Sequence, residues 1–508
     1  MQLSRPILSQ LHSEQLQVPD ERIFGLPEKV LQFGTGVLLR GLPDYFIDQA
    51  NKKNLFNGRI VVVKSTAQGD KDAFNEQDGL YTLLVKGVRD GTQVEETMIN
   101  ASISRVLSAK EEWDKILLCA SNPDLQIILS NTTEIGITLV ASDAQTTKPV
   151  SFPGRVLAFL QERFRVFKGS PESGMVIVPT ELITDNGTKL RQIIIQLAEL
   201  QKASPAFMQW LTHSNDFCNS LVDCIVPGKP ASTDREKLIS KLGYTDELMI
   251  MSEPYRLWAI ETRSDRTAGI LSFQGVDPES VILAPDIQKF REIKLRLLNA
   301  THTLSCGLAV LNGFDYVRDA MQDADFVKYV RSLMLEEIKP LVVQENIREA
   351  EAEKFARQVI DRFSNPHIAH QWKNITAQYT SKMAMRVVPL IEKHFAVHAA
   401  VPEYMSMGFA AYLLVMRTNK RSDNLFYARV NGNEFLLQDD KASLLYHHWQ
   451  NHGLETIAGS CLRDAAIFGA DLTVYPGWEA AVTRSLILIE TSGAGNALRS
   501  ILAKKSVA

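Results

Sequence analysis

The chain is poor in cysteine, in excess charge and in long apolar runs, and each shortage excludes a class of protein. Its five cysteines are odd in number and scattered without a CxxC pair, so neither a disulfide framework nor a cysteine-based zinc site is indicated. A formal net charge of −4 provides no basic field for nucleic acid or anionic lipid. No window approaches the roughly 18 apolar residues of a membrane span, and the N-terminus lacks a signal-peptide core. We therefore expect a cytoplasmic protein without nucleic-acid or membrane partners.

Metal-binding spacings are missing as well. The sequence contains no HExxH motif, and His447, His448 and His452 fall on a helix that we expect to be exposed. We therefore predict chemistry without a metal ion.

What the chain does have is the composition of an ordinary globular enzyme, with 45% apolar and 22% charged residues over 508 positions. That length exceeds one hydrophobic core and predicts two domains. Strands and helices alternate in the first half, which predicts an open, mostly parallel sheet covered on both faces. The predicted strands are EKVLQFG (28–34), RIVVVKST (59–66), YTLLVKGV (81–88), LQIILSN (125–131), GMVIVPTELI (174–183) and SEPYRLWAIE (252–261).

Helical periodicity dominates after about residue 285, where apolar residues recur three and four positions apart. The segments 364–372 and 417–424 are rich in polar and turn-forming residues and are predicted to be connections. We therefore predict an α/β fold: a Rossmann-like dinucleotide-binding domain over 1–283, followed by a mainly α-helical substrate and catalytic domain over 284–508. The helical segments are EAEKFARQVIDRF, SKMAMRVVPLIEKHFAVHAA and EYMSMGFAAYLLVM.

A glycine turn follows the first predicted strand and opens a helix. In Gly34-Thr35-Gly36, glycine lets the backbone approach a pyrophosphate, whose charge the free N–H groups at a helix start attract. Leu39 stands where a third glycine is usual, and Gly41 comes two positions later. The context predicts a nicotinamide dinucleotide site, with a plain tight turn as the alternative.

Other residues near this turn are candidates for the same cofactor. Arg40 is in reach of a phosphate from the first helical turns, although a solvated arginine is an equal alternative. The second predicted strand ends in Lys64-Ser65-Thr66, with Asp70 only further on, where an acidic residue normally binds the ribose of NAD, so NADP stays open. Asn131 and Thr132, in the run from Asn131 to Glu134, follow a strand at the edge where ligands collect; they either contact the cofactor or cap the next helix.

The segment 291–303, REIKLRLLNATHT, carries the residues best suited to catalysis. On an α-helix, Lys294, Asn299 and His302 fall at about 0°, 140° and 80° and span about 12 Å. Oxidising a secondary alcohol requires a base, and Lys294 is the candidate if burial or nearby positive charge removes its proton. Asn299 and His302 would polarise the reacting oxygen. The alternative is a helix with a solvated lysine and a core histidine.

Several segments resemble the polyol-specific long-chain dehydrogenase family, which includes mannitol dehydrogenases and hexuronate reductases. They are FGTGVLLRG (33–41), FCNSLVDCIVP (217–227), SEPYRLWAIE (252–261), KLRLLNATH (294–302) and RFSNPHI (362–368). In that family KxxxxNxxH is the catalytic signature, so the resemblance implies that Lys294 is the general base and that Asn299 and His302 hold the reacting oxygen.

Within the family the chain is most similar to the sugar-acid reductases, which implies NAD-dependent interconversion of D-tagaturonate and D-altronate. A fructuronate reductase and a polyol 2-dehydrogenase are the alternatives, and a non-catalytic nucleotide-binding protein is a distant one. Leu182 and Cys224 depart from the mannitol-type pattern and argue against mannitol itself.

A uronate needs a nearby cation for its carboxylate. The candidates are Lys382, which matches the family's SxK lysine, Arg386 and His367; each is otherwise a surface charge. Asp223 is a further substrate-site candidate whose role stays open. The sugar acid is expected between the two domains, and the chain is expected to act as a monomer or small homo-oligomer.

Overall fold

The computed structural model describes residues 1–11, 13–65, 71–133, 135–344, 346–423 and 425–505. Contacts within it divide the chain into two compact units. Unit 1 comprises Met1–Lys86 and Gln93–Ile287, and unit 2 comprises Gly87–Thr92 and Gln288–Ala508. Within the described ranges, no helix is long and apolar enough to cross a membrane.

Sixteen strands are formed by the described residues. They are β1 (Leu16–Gln17), β2 (Glu28–Phe33), β3 (Arg59–Lys64), β4 (Tyr81–Arg89), β5 (Thr92–Asn100), β6 (Ile103–Ser108), β7 (Ile127–Ser130), β8 (Val176–Pro179), β9 (Asp216–Phe217), β10 (Ser220–Asp223), β11 (Ile250–Ser252), β12 (Leu257–Glu261), β13 (Val281–Ala284), β14 (Thr418–Ser422), β15 (Leu425–Val430) and β16 (Asn433–Leu436).

The α-helices of unit 1 flank its sheets. They are α1 (Val37–Gly41), α2 (Pro43–Lys52), α3 (Lys71–Glu76), α4 (Trp113–Leu118), α5 (Phe152–Val166), α6 (Asn186–Leu200), α7 (Pro205–His213), α8 (Ser232–Leu242) and α9 (Asp265–Ile270).

The main sheet of unit 1 is parallel and has the order β6-β3-β2-β7-β8-β9. Counted along the chain this is the 3-2-1-4-5-6 arrangement of the dinucleotide-binding fold, whose strand order reverses beside β2. Alternate residues of its strands enter two apolar cores, with Val62 in one and Val61 in the other. The sheet is therefore covered on both faces, and the predicted Rossmann-like fold is confirmed.

One strand that was predicted for the main sheet lies in another sheet. YTLLVKGV forms β4, which lies in a separate sheet of order β1-β5-β4-β11, and the main sheet takes β6 in its place. Asp90 and Gly91 join β4 to β5 with φ of +52° and +72°. A two-residue Asp-Gly turn is a strong hairpin signal, and it makes β5 one neighbour of β4, whose other neighbour is the parallel β11. Residues 252–261 contribute to β11 and β12, in two further sheets.

Unit 2 is mainly helical, as predicted. Its helices are α10 (Gln288–Ile293), α11 (Thr301–Leu311), α12 (Val317–Ala320), α13 (Ala324–Ser332), α14 (Lys339–Val342), α15 (Glu349–Phe363), α16 (Trp372–Ile375), α17 (Tyr379–Lys382), α18 (Val388–Val397), α19 (Glu403–Val415), α20 (Ala442–Asn451), α21 (Ile457–Arg463), α22 (Ala465–Phe468), α23 (Trp478–Ser492) and α24 (Ala494–Lys505), with π-helical segments at Lys294–Ala300, Leu333–Ile338 and Met383–Val387.

The buried helices α11 and α19 cross at glycines. A Cβ on Gly307 would lie 2.7 Å from the backbone of Ala411, and one on Gly408 would lie 2.7 Å from the carbonyl oxygen of Leu304. This close crossing fixes α11, which carries His302.

The segment 417–424 was predicted as a connection, but Thr418–Ser422 forms β14, which pairs with β15 in an antiparallel sheet.

Candidate active site

The glycine turn lies at the carboxyl end of β2, beside the reversal of strand order. Gly34 has φ of +130°, and a Cβ there would lie 2.9 Å from Leu39 Cδ1 and 3.2 Å from the carbonyl oxygen of Asn131. A Cβ on Gly36, in contrast, would meet nothing within 4 Å, and half-buried Thr35 lies between the two glycines. The fold therefore requires Gly34, whereas Gly36 leaves open the space that a pyrophosphate needs.

Arg40, predicted to reach a phosphate, is buried in unit 1. The side chain is buried, and its Nη1 donates a hydrogen bond to the carbonyl oxygen of Leu248 at 2.6 Å. The guanidinium lies over the ring of Tyr81, 5.4 Å from its centre. These contacts anchor the Arg40 side chain inside unit 1. A Cβ on Gly41 would approach Val226 Cγ2 to 2.7 Å, so this late glycine allows the close helix packing expected of the third glycine.

Glu181 organises the polar residues around the end of β7, although no motif in the sequence points to it. The backbone N–H and the hydroxyl of Thr132 donate to Glu181 Oε1 at 2.8 and 3.0 Å, and Ser130 Oγ donates to Oε2 at 3.1 Å. Asn131 Nδ2 donates to Thr180 Oγ1 at 3.1 Å. Asn131 and Thr132 are thus fixed and half-buried at the carboxyl edge of the sheet.

Lys64 ends β3 as a buried residue, and the exposed Ser65 follows it. Thr66, Asp70 and Glu134 lie outside the described residues.

Lys294, Asn299 and His302 do not share one regular α-helix. Lys294–Ala300 is π-helical, and α11 begins at Thr301. In a π-helix the N–H of residue i+5 bonds to the carbonyl of residue i, so residues five apart lie about one turn apart. Lys294 and Asn299 have this spacing, and the wide angle expected from an α-helix is therefore wrong. Both are half-buried, and His302 follows one α-helical turn after Asn299.

His302 is buried in an aromatic cage. Its ring centre lies 4.6 Å from that of Phe363, 5.0 Å from Trp372 and 4.9 Å from His370. Burial first, and then the positive charge of neighbouring basic groups, holds the pKa of His302 well below its usual range, so the imidazole is neutral. Its Nε2 is buried without a hydrogen-bond partner. A neutral ring with an unused nitrogen is suited to donate a hydrogen bond to a substrate oxygen.

Arg296 links this segment to a second π-helical segment. Its Nη1 donates to the carbonyl oxygens of Met385 and Arg386 at 3.0 and 2.8 Å, and its Nε donates to Glu292 Oε1 at 3.0 Å. The Lys294–Ala300 and Met383–Val387 segments are thereby held together.

The predicted substrate cations differ in their settings. Lys382 and Arg386 are both partly buried; Lys382 Nζ donates to the carbonyl oxygen of Ile375 at 2.8 Å, and Arg386 Nη1 donates to Thr303 Oγ1 at 3.1 Å. Burial lowers the pKa of each. His367 is exposed, and Asp223 is a buried residue at the end of β10 in unit 1.

Two family models match the chain. One, the mannitol dehydrogenase Rossmann domain, matches residues 28–270, and the other, the mannitol dehydrogenase C-terminal domain, matches residues 286–486. The chain belongs to the mannitol dehydrogenase family. It is therefore an oxidoreductase that acts on CH–OH groups, as the motifs predict.

Relatives of this family member cover nearly its whole length. An altronate oxidoreductase from Bacillus subtilis is 36% identical over 89% of this chain and 90% of its own. Another from Halalkalibacterium halodurans is 34% identical over 94% of both chains. Among solved structures, Pseudomonas fluorescens mannitol 2-dehydrogenase, in a ternary complex with NAD and D-mannitol, is 23% identical with a TM-score of 0.68 and covers 99% of this chain and 100% of its own. A D-sorbitol dehydrogenase has a TM-score of 0.75 at 20% identity, over 98% of this chain and 100% of its own. These two structures support the fold.

Proposed function

We propose that this dehydrogenase interconverts D-tagaturonate and D-altronate with NAD(H), using Lys294 as general acid and base and no metal ion. The observation that carries the proposal is the grouping of Lys294 and Asn299 on one π-helical segment, followed by the buried, neutral His302. Support for the substrate comes from the relatives named altronate oxidoreductase, 31–36% identical over most of the chain.

The residues at the carboxyl edge of the main sheet fit a nicotinamide dinucleotide. A Cβ on Gly36 would stand in open space, and Thr35, Asn131 and Thr132, at the ends of β2 and β7, are proposed as polar contacts of the cofactor. When bound, the nicotinamide gives or accepts the hydride. NAD is the proposed form, because the mannitol 2-dehydrogenase neighbour was solved with it. The lysine that ends β3 keeps NADP as an alternative to be tested.

In the reducing direction, Lys294 would give a proton to the substrate oxygen as the carbonyl becomes an alcohol. Asn299 and His302 would donate hydrogen bonds to the same oxygen, which gains negative charge in the transition state. In the oxidising direction, Lys294 takes the proton back. Lys382 and Arg386 are proposed to lie near the carboxylate; His367 and Asp223 are weaker candidates. The partner is a small sugar acid, and we propose a monomer or small homo-oligomer.

Replacing Lys294 tests the assignment. We expect Lys294→Met to lower kcat by about 10²–10⁴-fold, the usual contribution of general acid–base catalysis. NADH binding, measured by fluorescence titration, should stay within about twofold. Lys373→Met, at an exposed position of unit 2, is the matched control and should keep full turnover. Full activity of Lys294→Met would refute the role of this residue.

The substrate is tested separately by NADH and NADPH consumption with D-tagaturonate, D-fructuronate and D-fructose. We expect the highest kcat/KM for D-tagaturonate with NADH. A higher kcat/KM for D-fructuronate or D-fructose would make that compound the substrate in place of D-tagaturonate. It would not affect the proposed role of Lys294.

A further inference from the structure

Among the described residues, the ionisable groups that bear most on His302 are basic. His370 comes from the loop before α16, Lys382 from α17, Arg386 from the Met383–Val387 segment, and Arg362 from α15. Like charges gathered around a buried site repel one another, and a bound anion would offset that repulsion. The cluster therefore suits a negatively charged ligand better than a neutral one.

His370 differs from Lys382 and Arg386 in its hydrogen bonding. Lys382 and Arg386 each donate a hydrogen bond to a protein oxygen. Within the ranges that the structure describes, neither ring nitrogen of His370 is hydrogen-bonded, although the residue is half-buried and its ring centre lies 4.9 Å from that of His302. A second, independent feature lies beside it, namely the buried and unpartnered Nε2 of His302.

We infer that His370 binds the carboxylate of the sugar-acid substrate and is the residue by which the enzyme separates sugar acids from neutral ketoses. This inference rests on the proposed function, because it assigns the acid group of that substrate to a side chain.

Proton uptake follows from the surroundings of His370. The ring faces His302, Lys382 and Arg362, and burial followed by the charges of Lys382 and Arg362 lowers its pKa. Without substrate the ring is therefore mostly neutral at pH 7. A bound carboxylate favours the imidazolium, so binding takes one proton from solvent. KM for a sugar acid should then rise with pH, whereas KM for a neutral ketose should not.

The test compares His370→Gln with wild type on D-tagaturonate and on D-tagatose, the neutral ketose of matching configuration, between pH 5.5 and 8. We expect His370→Gln to raise KM for D-tagaturonate by about tenfold or more, the usual loss for a hydrogen bond to a charged group. Its kcat and its KM for D-tagatose should stay within about threefold. The rise of KM with pH should flatten in the variant. If D-tagatose turns over too slowly, its inhibition constant against D-tagaturonate gives the same comparison.

His447→Gln, at an exposed histidine of the same unit, is the matched control and should behave as wild type. An unchanged KM ratio in His370→Gln, or a loss confined to kcat, would overturn the inference. If the variant does not fold, a wild-type KM for D-tagaturonate that does not change with pH overturns it equally. If the wild-type enzyme reduces no ketohexuronate, the proposed function is refuted. That result is distinct from the outcomes that overturn the role of His370.

Discussion

Asp44 in unit 1 and His302 in unit 2 are buried ionisable side chains that burial keeps neutral at pH 7. Burial raises the pKa of Asp44 to about 8, although Gln32 and Arg40 act in the opposite direction. Burial likewise lowers the pKa of His302. In each case the charged form would lose more hydration free energy than contacts with the protein restore. Protonation here therefore depends on packing, which residue type alone does not reveal.

Asp44 makes the stability of unit 1 depend on pH. Its pKa in the folded protein lies above the unfolded value of about 3.9. Between these values the folded state holds a proton that the unfolded state has lost, so the free energy of unfolding falls as pH rises from about 4 to about 8 and then levels off. We expect Asp44→Asn to remove this contribution, so that the Tm of the variant relative to wild type increases between pH 5 and pH 8.

Thermal unfolding at several pH values measures this difference. Asp124→Asn, at an exposed position of unit 1, is the control and should show no trend. A Tm difference between Asp44→Asn and wild type that stays constant from pH 5 to pH 8 would show that Asp44 does not titrate as argued.

The residue types that suit catalysis were predictable, but several of their partners were not. Lys294, Asn299 and His302 were identified because base and hydrogen-bond donors recur at a recognisable spacing. Glu181 and His370 had no such signal, since their contacts join segments far apart in sequence. The burial of Arg40 was hidden for the same reason, because Leu248, which accepts its hydrogen bond, is 208 positions away.

At the scale of elements, the π-helical segments are the feature that periodicity could not predict. The same apolar residues are compatible with α-helical and π-helical hydrogen bonding, and the sequence does not mark the added residue per turn. Three segments of unit 2 have this form, and two of them are tied by Arg296. π-helical turns are rare and often occur at functional sites. We therefore expect the hydrogen bonds from Arg296 to the Met383–Val387 segment to serve catalysis.

Removing the hydrogen bonds of Arg296 should lower turnover more than it weakens cofactor binding. We expect Arg296→Met to lower kcat by about tenfold or more, because Lys294 and Asn299 lose their fixed position relative to the Met383–Val387 segment. Each hydrogen bond lost from the charged guanidinium should lower the free energy of unfolding by about 1.5–3 kcal/mol. Fluorescence titration should show unchanged NADH affinity.

Arg357→Met separates this effect from a general loss of charge, because Arg357 is an exposed arginine of the same unit that contacts Glu353. Its kcat should match wild type. Should Arg296→Met retain normal kcat while it loses stability, Arg296 would have a structural role alone.

At the scale of the whole molecule, the fold class followed from the change in periodicity near residue 285, because alternating strands and helices have few other stable arrangements. The assignment of strands to sheets did not follow. β4 is apolar enough for the main sheet, but its hairpin with β5 places it elsewhere. The crossing of α11 and α19 could not be predicted either. Gly307 and Gly408 lie 101 positions apart, and no local sequence pattern indicates that they meet.

Cofactor binding should be visible in the stability of the whole chain. A ligand at 100 times its Kd adds about 2.7 kcal/mol to the free energy of unfolding, so NADH should raise the Tm of wild type and of Lys294→Met alike. Gly36→Ala should keep the Tm of the free protein but lose most of the NADH-dependent rise, because its Cβ enters space that only the cofactor would occupy. Gly34→Ala should lower the Tm of the free protein itself, since its Cβ would crowd Leu39 and Asn131. A full NADH-dependent rise in Gly36→Ala would place the cofactor away from this turn.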